Sequence, residues 1–311
     1  MSDTANHPVA VIGGGFTGLS AAYELGLQGI PCIVFERDPA VGGLAGSFQV
    51  NGVDLERYYH HWFTSDQHVM SLVEELGLED RLVRHASRTG MYYANRHYRL
   101  STPLDLLRFD PLSWLDRVRL GLMVLRVRRI EDWQALEGLT AAEWARDFGG
   151  KQVYEVVWEP LLRGKFGAHA DRVSAVWLWN KLKLRGGSRR SDGAEELVYL
   201  RGGFAALARA MVQRIESMGG RVMVDCPVQS IVTQHGSVTA VLAGGESHRV
   251  SHVLATTALP EVAHMLDGVV DDEAREDLDR IEYLDIICIV LELDRSLSDT
   301  YWLSVNDPSF P

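Results

Sequence analysis

Residues 9–46 read VAVIGGGFTGLSAAYELGLQGIPCIVFERDPAVGGLAG, and this stretch decides the fold class. The apolar run 9–12 predicts a buried strand, the glycines at 13–15 predict a tight turn, and 17–27 has the pattern of a helix. A second apolar strand is expected at 32–35, directly before an acidic residue. The order strand, glycine turn, helix and strand predicts a βαβ unit in a parallel sheet.

The glycine turn of this unit has the spacing of a dinucleotide-binding motif. Gly13 permits the tight turn, Gly15 lets a pyrophosphate approach the backbone, and Gly18 allows the helix to pack closely on the strand. The helix N-terminus offers N–H groups and the positive end of a dipole to the phosphates. Glu36 follows Gly18 by 18 residues, which suits a ribose-binding carboxylate, and its charge disfavours the 2′-phosphate of NADP.

Beyond this unit the character of the chain changes twice. From 103 to 167, helical periodicity replaces the strand signals, which predicts an inserted helical subdomain. From residue 199 the alternation of strands and helices returns. The other predicted elements are a hairpin in 47–60, a helix at 66–78, a hairpin in 91–100, a polar exposed loop at 185–196, a helix at 204–217, a hairpin made of 228–234 and 238–243, and strands at 249–256 and 284–293.

These elements predict an α/β chain, α+β overall. A Rossmann-type FAD/NAD(P)-binding domain with a β-meander is expected to carry an inserted, mainly helical substrate domain. The dinucleotide domain is predicted to be split between 1–90 and 199–270. The substrate domain then takes 91–198 and 271–311.

Composition excludes several classes of function. Hydrophobic residues make up 46% of the 311 residues, enough for a full core, and the formal net charge of −11 argues against a nucleic-acid binder. The three cysteines, Cys32, Cys226 and Cys288, lie far apart and are expected to be reduced, buried thiols. No histidine or cysteine spacing predicts a metal site. The start has no secretory pattern and no apolar run is long enough to span a membrane, so a cytoplasmic protein is expected.

The glycine pair Gly42-Gly43 extends the motif beyond a nicotinamide-type unit. With Glu36-Arg37 before it, the segment resembles the FAD-dependent amine oxidase superfamily, most closely its protoporphyrinogen oxidase-like branch; UDP-galactopyranose mutases and phytoene desaturases are wider relatives. In such proteins this loop runs under the pyrophosphate and toward the flavin. The resemblance therefore implies FAD as the cofactor.

Later segments carry the same resemblance. They are GVDLERYYHHWF at 52–63, LVEELGLEDRL at 72–82, YLRGGFAALARAM at 199–211, GGRVMVDCPVQSI at 219–231, VLATTALPEV at 253–262 and YWLSVNDPSFP at 301–311. The resemblance implies that Val228 pairs the adenine through its backbone, and that the strand before Thr256 returns under the cofactor. The predicted cofactor-binding residues are Gly13, Gly14, Gly15, Phe16, Thr17, Gly18, Glu36, Arg37, Gly42, Gly43, Leu44, Ala45, Val228 and Thr256.

The resemblance implies an oxidoreductase that oxidises a C–C or C–N bond of a small molecule through flavin N5. His60 and His61 lie in the segment expected beside the flavin, where one of them could handle a proton, or both could simply be packed or exposed. Arg163 and Lys165, in a glycine-bracketed basic loop at 163–167, are candidates for binding an anionic substrate group, or for ending a helix. The predicted strand 284–293 contains no lysine, which disfavours a lysine-dependent amine oxidase mechanism.

Two alternative functions stay open. One is a flavin-dependent sugar-nucleotide enzyme of the UDP-galactopyranose mutase type, and the other is a non-catalytic FAD-binding protein. The family also carries a later glycine-rich motif with an acid that is not found before Pro311. The chain is therefore expected to be a fragment or a short member of the family.

The segment 115–129 reads LDRVRLGLMVLRVRR, with five arginines against one aspartate. Its apolar residues Leu115, Val118, Leu122 and Leu125 fall on one helical face. A basic amphipathic helix of this kind can lie on an anionic membrane. The two interpretations are a peripheral membrane contact through 115–129, in line with the resemblance, and an ordinary helix with a solvated basic face.

Overall fold

A computed structural model describes residues 7–188 and 195–310 of the chain, except for the side chains of 185–187. The strands, in chain order, are β1 Val9–Ile12, β2 Cys32–Phe35, β3 Ser47–Val50, β4 Val53–Glu56, β5 Trp62–Phe63, β6 Leu82–Ser87, β7 Thr89–Tyr93, β8 Arg96–Arg99, β9 Glu195–Leu200, β10 Arg221–Met223, β11 Val228–Gln234, β12 Ser237–Ala243, β13 Glu246–Arg249, β14 His252–Ala255 and β15 Trp302–Val305. The helices are α1 Phe16–Leu27, α2 Gln67–Glu75, α3 Pro103–Leu107, α4 Trp114–Val127, α5 Ala141–Gly149, α6 Lys151–Val153, α7 Glu159–Phe166, α8 Ala175–Gly187, α9 Gly203–Ser217, α10 Leu259–Met265 and α11 Asp272–Asp279.

The chain divides into two compact units. The first contains the residues up to His60, together with His68–Val83 and Tyr199–Ile289. The second contains His61–Gln67, Arg84–Val198 and the residues from Val290 onward. Compared with the predicted domain limits, residues 61–67 and 84–90 fall in the second unit, and 271–289 fall in the first.

The first unit contains the predicted Rossmann-type sheet. Its strand order is β10–β2–β1–β14, and every neighbouring pair is parallel. Both β1 and β2 are apolar and almost wholly buried, as expected for parallel strands covered on both faces. The strands β11, β12 and β13 form an antiparallel meander, whose inner side chains share a core with the parallel sheet. The α/β fold class with its β-meander is therefore confirmed.

The second unit contains the helical insert. Helices α3 to α8 surround a core rich in aromatic residues, and its largest fully buried side chains are Trp144, Tyr154, Phe109, Leu112, Met123, Leu162 and Leu178. A π-helical turn, Tyr154–Trp158, lies between α6 and α7. The buried Asn306 amide donates to the carbonyls of Val156 and Val157, 3.2 and 3.0 Å away. These bonds satisfy part of the irregular backbone of the turn.

Several sequence predictions agree with the structure because short-range turn chemistry determines them. Asn51-Gly52 and Ala94-Asn95 have positive φ at all four positions, as two-residue hairpin turns require. The strands β3 with β4 and β7 with β8 pair antiparallel across these turns. The predicted hairpin at 228–243 is also present.

The predicted strand at 284–293 is wrong. These residues form no helix or strand, and in the described part of the chain no strand pairs with them. Most of the apolar side chains are exposed, and Ile287 is 89% exposed. Cys288 in the same run is also exposed, contrary to the expectation of a buried thiol, whereas Cys32 and Cys226 are buried. The β-branched composition favours extended backbone, but a strand forms only where a partner edge supplies hydrogen bonds.

The predicted loop at 185–196 is also partly wrong. Residues 185–187 complete α8, and 195–196 begin β9. Residues 189–194 lie outside the described part of the chain. The polar composition of the segment indicated a loop, but helix α8 continues through its Gly186-Gly187 pair.

Candidate cofactor-binding site

The two glycine clusters of the opening sequence lie directly against each other. Gly15 forms a parallel β-bridge with Gly42, and the Gly42 amide donates to the Gly14 carbonyl at 2.9 Å. Gly42 and Gly43 have φ values of 124° and 56°, which favour glycine. A Cβ on Gly43 would lie 3.0 Å from the Gly15 Cα. Gly42-Gly43 therefore packs directly against the turn formed by residues 13–15.

The glycines of the first cluster allow α1 to pack closely against the sheet. Gly13 has a φ of 106°, and a Cβ on Gly18 would lie 1.9 Å from the Gly13 carbonyl oxygen. Helix α1 begins at Phe16, its N-cap Gly15 provides no side-chain hydrogen bond, and its first turn carries no acidic side chain. The first-turn amides have no intrahelical acceptor, so this end of the helix suits a pyrophosphate.

Glu36 stands at the end of β2 and is only 8% exposed. Its Oε2 accepts a hydrogen bond from the Gly14 amide at 2.6 Å, and its Oε1 accepts one from the Asp38 amide at 2.9 Å. Each carboxylate oxygen has a second lone pair that can accept a ribose hydroxyl. The carboxylate is therefore fixed beside the glycine turn by two backbone donors.

Two threonines adjoin the same turn from the end of β14. The Thr256 hydroxyl donates to the Ile12 carbonyl at 2.9 Å, which ties β14 to β1. The Thr257 hydroxyl oxygen is buried without a hydrogen-bond partner, and a Cβ on Gly13 would lie 3.3 Å from its Cγ2. An unsatisfied buried hydroxyl is costly. Its place beside Gly13 fits a site that receives a polar ligand.

We call residues 13–18, Glu36 and 42–45 the cofactor cradle. Its glycine surfaces, open helix end and fixed carboxylate fit a pyrophosphate joined to a ribose, which is the shared part of NAD and FAD. The geometry alone does not separate these two dinucleotides.

Comparison with a protein family distinguishes FAD from NAD. Residues 16–309 match the model of the family described as flavin containing amine oxidoreductase. The chain belongs to this family. FAD, inferred from the Gly42-Gly43 pair, is thus supported as the cofactor of this flavin-containing family member.

Individual relatives agree with this assignment. The chain is 28% identical over 189 residues to "Protoporphyrinogen oxidase, mitochondrial" of Nicotiana tabacum, which covers 58% of this chain and 37% of that protein. It is 24% identical over 324 residues to "15-cis-phytoene desaturase" of Synechococcus elongatus, which covers 94% of this chain and 66% of that protein. The chain thus spans only part of the length of the curated relatives it matches.

A solved structure supports the fold. An oxidoreductase from Methanosarcina mazei superposes with a TM-score of 0.67 at 17% identity, covering 88% of this chain and 64% of that chain. At this identity the likeness concerns the fold alone.

The other residues predicted to bind FAD lie in the first unit. Arg37 is exposed and pairs with Glu261 at 3.5 Å, while Leu44 is exposed and Ala45 is buried. Val228 begins β11 and pairs with Ala243. Their contacts with FAD stay predictions.

The two candidate histidines have different surroundings. His60 lies in the first unit, with Nδ1 2.6 Å from the Tyr58 carbonyl. Because a carbonyl only accepts, Nδ1 carries a proton, and Nε2 is left as the acceptor in a neutral ring. His61 belongs to the second unit, where its Nδ1 lies 3.1 Å from the Tyr301 hydroxyl. A role for either histidine in flavin chemistry stays a prediction.

The predicted basic loop at 163–167 is wrong. Arg163 and Lys165 lie in the last turn of α7, which ends at Gly167 with a φ of 53°. Arg163 pairs with Glu159 on the same helix at 3.0 Å, and this hydrogen bond raises the pKa of Arg163. The helix continues through Gly164 because packing of Leu161, Leu162 and Phe166 on the core of the insert outweighs the low helix propensity of glycine. Binding of an anionic substrate by Arg163 or Lys165 stays a prediction.

Sequence reasoning missed a group of residues that adjoins the cradle. Glu56, at the end of β4, accepts hydrogen bonds from the Tyr199 hydroxyl and from the Phe204 amide. One signal was available, since Gly202-Gly203 begins helix α9 without a capping side chain. Such a helix start requires an acceptor from elsewhere in the chain.

The described residues contain neither a candidate metal cluster nor a helix that could span a membrane. Within 7–188 and 195–310, no group of three histidine, cysteine, aspartate or glutamate residues could hold a metal ion. No helix in that part of the chain has both the length and the apolar character to cross a membrane.

Proposed function

We propose that this chain is an FAD-dependent oxidoreductase that oxidises a C–C or C–N bond of a small molecule. The observation that carries the proposal is the bridge between Gly15 and Gly42, which joins the dinucleotide turn to the flavin-type glycine pair. The match to a flavin-containing oxidoreductase family over residues 16–309 supports the same function. The two curated relatives carry the names of an oxidase and a desaturase, which are oxidative enzymes.

Bound FAD would supply the redox chemistry, and the protein would supply position and electrostatics. The glycines of the cradle and the N-terminus of α1 would hold the pyrophosphate. Glu36 would accept the adenosine ribose hydroxyls. His60, with its proton held at Nδ1 by Tyr58, would present Nε2 to accept a proton from substrate.

The first prediction is direct binding of FAD. We expect the purified chain to bind one FAD and to bind FMN about 10- to 100-fold more weakly, because FMN lacks the ribose that Glu36 recognises. A hydrogen bond to a charged group contributes about 1.5–3 kcal/mol. Calorimetric titration with FAD, FMN and NAD measures this. The cofactor assignment would be refuted by the absence of any heat of binding, together with no flavin absorption left on the protein after unbound FAD is removed.

The FAD-loaded protein then distinguishes an oxidoreductase from the two alternative functions, a mutase and a non-catalytic FAD-binding protein. Anaerobic mixing with amine, polyene or porphyrinogen substrates should bleach the flavin absorption if the chain is an oxidoreductase. Conversion of a UDP-sugar by the photoreduced protein, without net flavin oxidation, would support the mutase alternative. A flavin spectrum that does not change with any of these compounds would support a non-catalytic FAD-binding protein.

We also propose that the helical insert contacts an anionic membrane through α4. The predicted apolar face points outward, with Leu115 63% and Leu122 45% exposed. The opposite face, with Leu120, Met123 and Val127, lies in the core of the insert. Exposed leucines beside a cluster of arginines suit a surface of anionic lipid.

The second prediction tests this surface. The wild-type chain should sediment with vesicles of phosphatidylserine and phosphatidylcholine but not with pure phosphatidylcholine. The double variant Leu115→Asp with Leu122→Asp should lose this binding, because it places two carboxylates in the apolar face. Leu139→Asp, at another exposed leucine of the insert, is the matched control and should sediment like the wild type. A double variant that sediments like the wild type, or a wild type that does not sediment with either kind of vesicle, would exclude the apolar face of α4 as a membrane contact.

A further inference from the structure

Helix α9 begins in an unusual way. Gly202 and Gly203 have φ values of 93° and 71°, and the N-cap provides no side-chain hydrogen bond. Glu56, from the distant strand β4, takes that place, since its Oε1 accepts the Phe204 amide at 2.9 Å. A Cβ on Gly203 would lie 2.7 Å from the same oxygen. The glycine is therefore what lets the carboxylate reach the helix end.

The same carboxylate is held from a second side. The Tyr199 hydroxyl lies 2.8 Å from both oxygens of Glu56, so it donates to the carboxylate in a bifurcated bond. All three partners belong to the first unit. Two donors and a favourable helix dipole thus fix the charge at the start of α9.

Phe204 connects this capped helix end to the cradle. Its ring lies edge-on to Phe16 with centroids 5.8 Å apart, and Phe16 is the first residue of α1. Its ring also packs against His60 at 5.3 Å. One side chain therefore touches both the helix that would hold the pyrophosphate and the histidine with an accepting Nε2.

We propose that Glu56 is a positioning residue that acts on His60 and on the cradle. By capping α9 it fixes the backbone of Phe204, and the Phe204 ring, which also packs on Phe16 of α1, then sets the orientation of His60. The part of this inference that concerns FAD rests on the proposed function. The part that concerns His60 is a property of the cofactor-free protein.

The experiment compares Glu56→Gln with a matched control on the same strand. Asp54 is two residues earlier and also bonds helix α9, through Arg209 at 3.2 Å, but it does not touch the helix start. Asp54→Asn therefore removes a contact between β4 and α9 without removing the cap. Three readouts are used: imidazole ¹⁵N shifts of His60, assigned with a His60→Asn variant; amide hydrogen exchange of Phe204; and the Kd for FAD.

In Glu56→Gln, the amide oxygen can still accept a neutral hydrogen bond, so we expect exchange of the Phe204 amide to rise about three- to tenfold, as loss of the charge assistance implies. The His60 shifts should move from the Nδ1–H form toward a mixture of tautomers, and FAD should bind about tenfold more weakly. Asp54→Asn should leave the His60 shifts and the Kd unchanged. If Glu56→Gln does not fold, Tyr199→Phe removes one donor and should change the three readouts in the same direction.

Unchanged His60 shifts in a variant whose Phe204 amide exchanges faster would overturn the proposal, because the cap would then be structural only. Equal changes in Asp54→Asn would overturn it as well. A wild-type chain that binds no FAD would refute the proposed function, and the imidazole shifts would still decide the role of Glu56.

Discussion

Gly18→Ala is expected to abolish FAD binding and to lower the free energy of unfolding by about 3 kcal/mol or more. The added Cβ would lie 1.9 Å from the Gly13 carbonyl oxygen and 3.0 Å from the Thr256 hydroxyl. The first of these atoms is backbone, so no side-chain rotation can relieve the overlap. Helix α1 must move away from the turn, and the site for the pyrophosphate opens with it.

Urea unfolding and FAD titration measure the two effects. Gly26→Ala is the matched control in the same helix, because its Cβ would meet mainly the mobile end of Met218. The gain of about 1 kcal/mol in helix propensity should offset the displacement of that side chain. If Gly18→Ala were as stable as Gly26→Ala and bound FAD equally, the close packing of α1 on the turn would be wrong.

Glu36→Ala is expected to lower the free energy of unfolding by about 2–4 kcal/mol, because it leaves two backbone donors of the cradle without an acceptor. The Gly14 amide, which is buried, and the Asp38 amide both bond to this carboxylate. The variant also loses the acceptor for the ribose, so FAD binding should fall below detection. Glu36→Gln should be intermediate, since an amide retains one oxygen.

Asp38→Ala provides the control for Glu36. Its carboxylate is partly exposed and pairs with Arg57 at 3.6 Å, a surface ion pair that contributes at most about 1 kcal/mol. We expect this variant to unfold and to bind FAD almost like the wild type. Denaturant midpoints and calorimetric titration compare the four chains. A Glu36→Ala chain that kept full affinity for FAD would remove Glu36 from the site.

The cradle could be predicted from sequence because its parts are local. Gly13, Gly15 and Gly18 belong to one turn, and their spacing encodes both the backbone angles and the packing of α1. The hairpin turns at 51–52 and 94–95 are local in the same sense. The contact between Gly15 and Gly42 is longer in range and was not predicted from the sequence. The family resemblance implied only that the Gly42-Gly43 loop runs under the pyrophosphate.

Errors arose where a local pattern needed a distant partner. The run 284–293 has strand composition but no strand pairs with it in the described chain, and the glycines of 163–167 belong to the end of a helix. The pairing of β15 with β7 was not predicted, because it joins Trp302–Val305 to a strand more than two hundred residues earlier. Composition indicates which secondary structure a segment prefers, but strand pairing depends on which sheet edges the fold leaves without a neighbouring strand.

The sequence by itself determined the dinucleotide turn, the flavin-type glycine pair and the fold class, because glycine spacing and hydrophobic period act over a few residues. Only the tertiary structure decided that Glu56 caps α9, since the carboxylate and the Phe204 amide are 148 residues apart. It also decided that the apolar face of α4 points outward, because a helical pattern with apolar residues on two faces does not say which face the core covers.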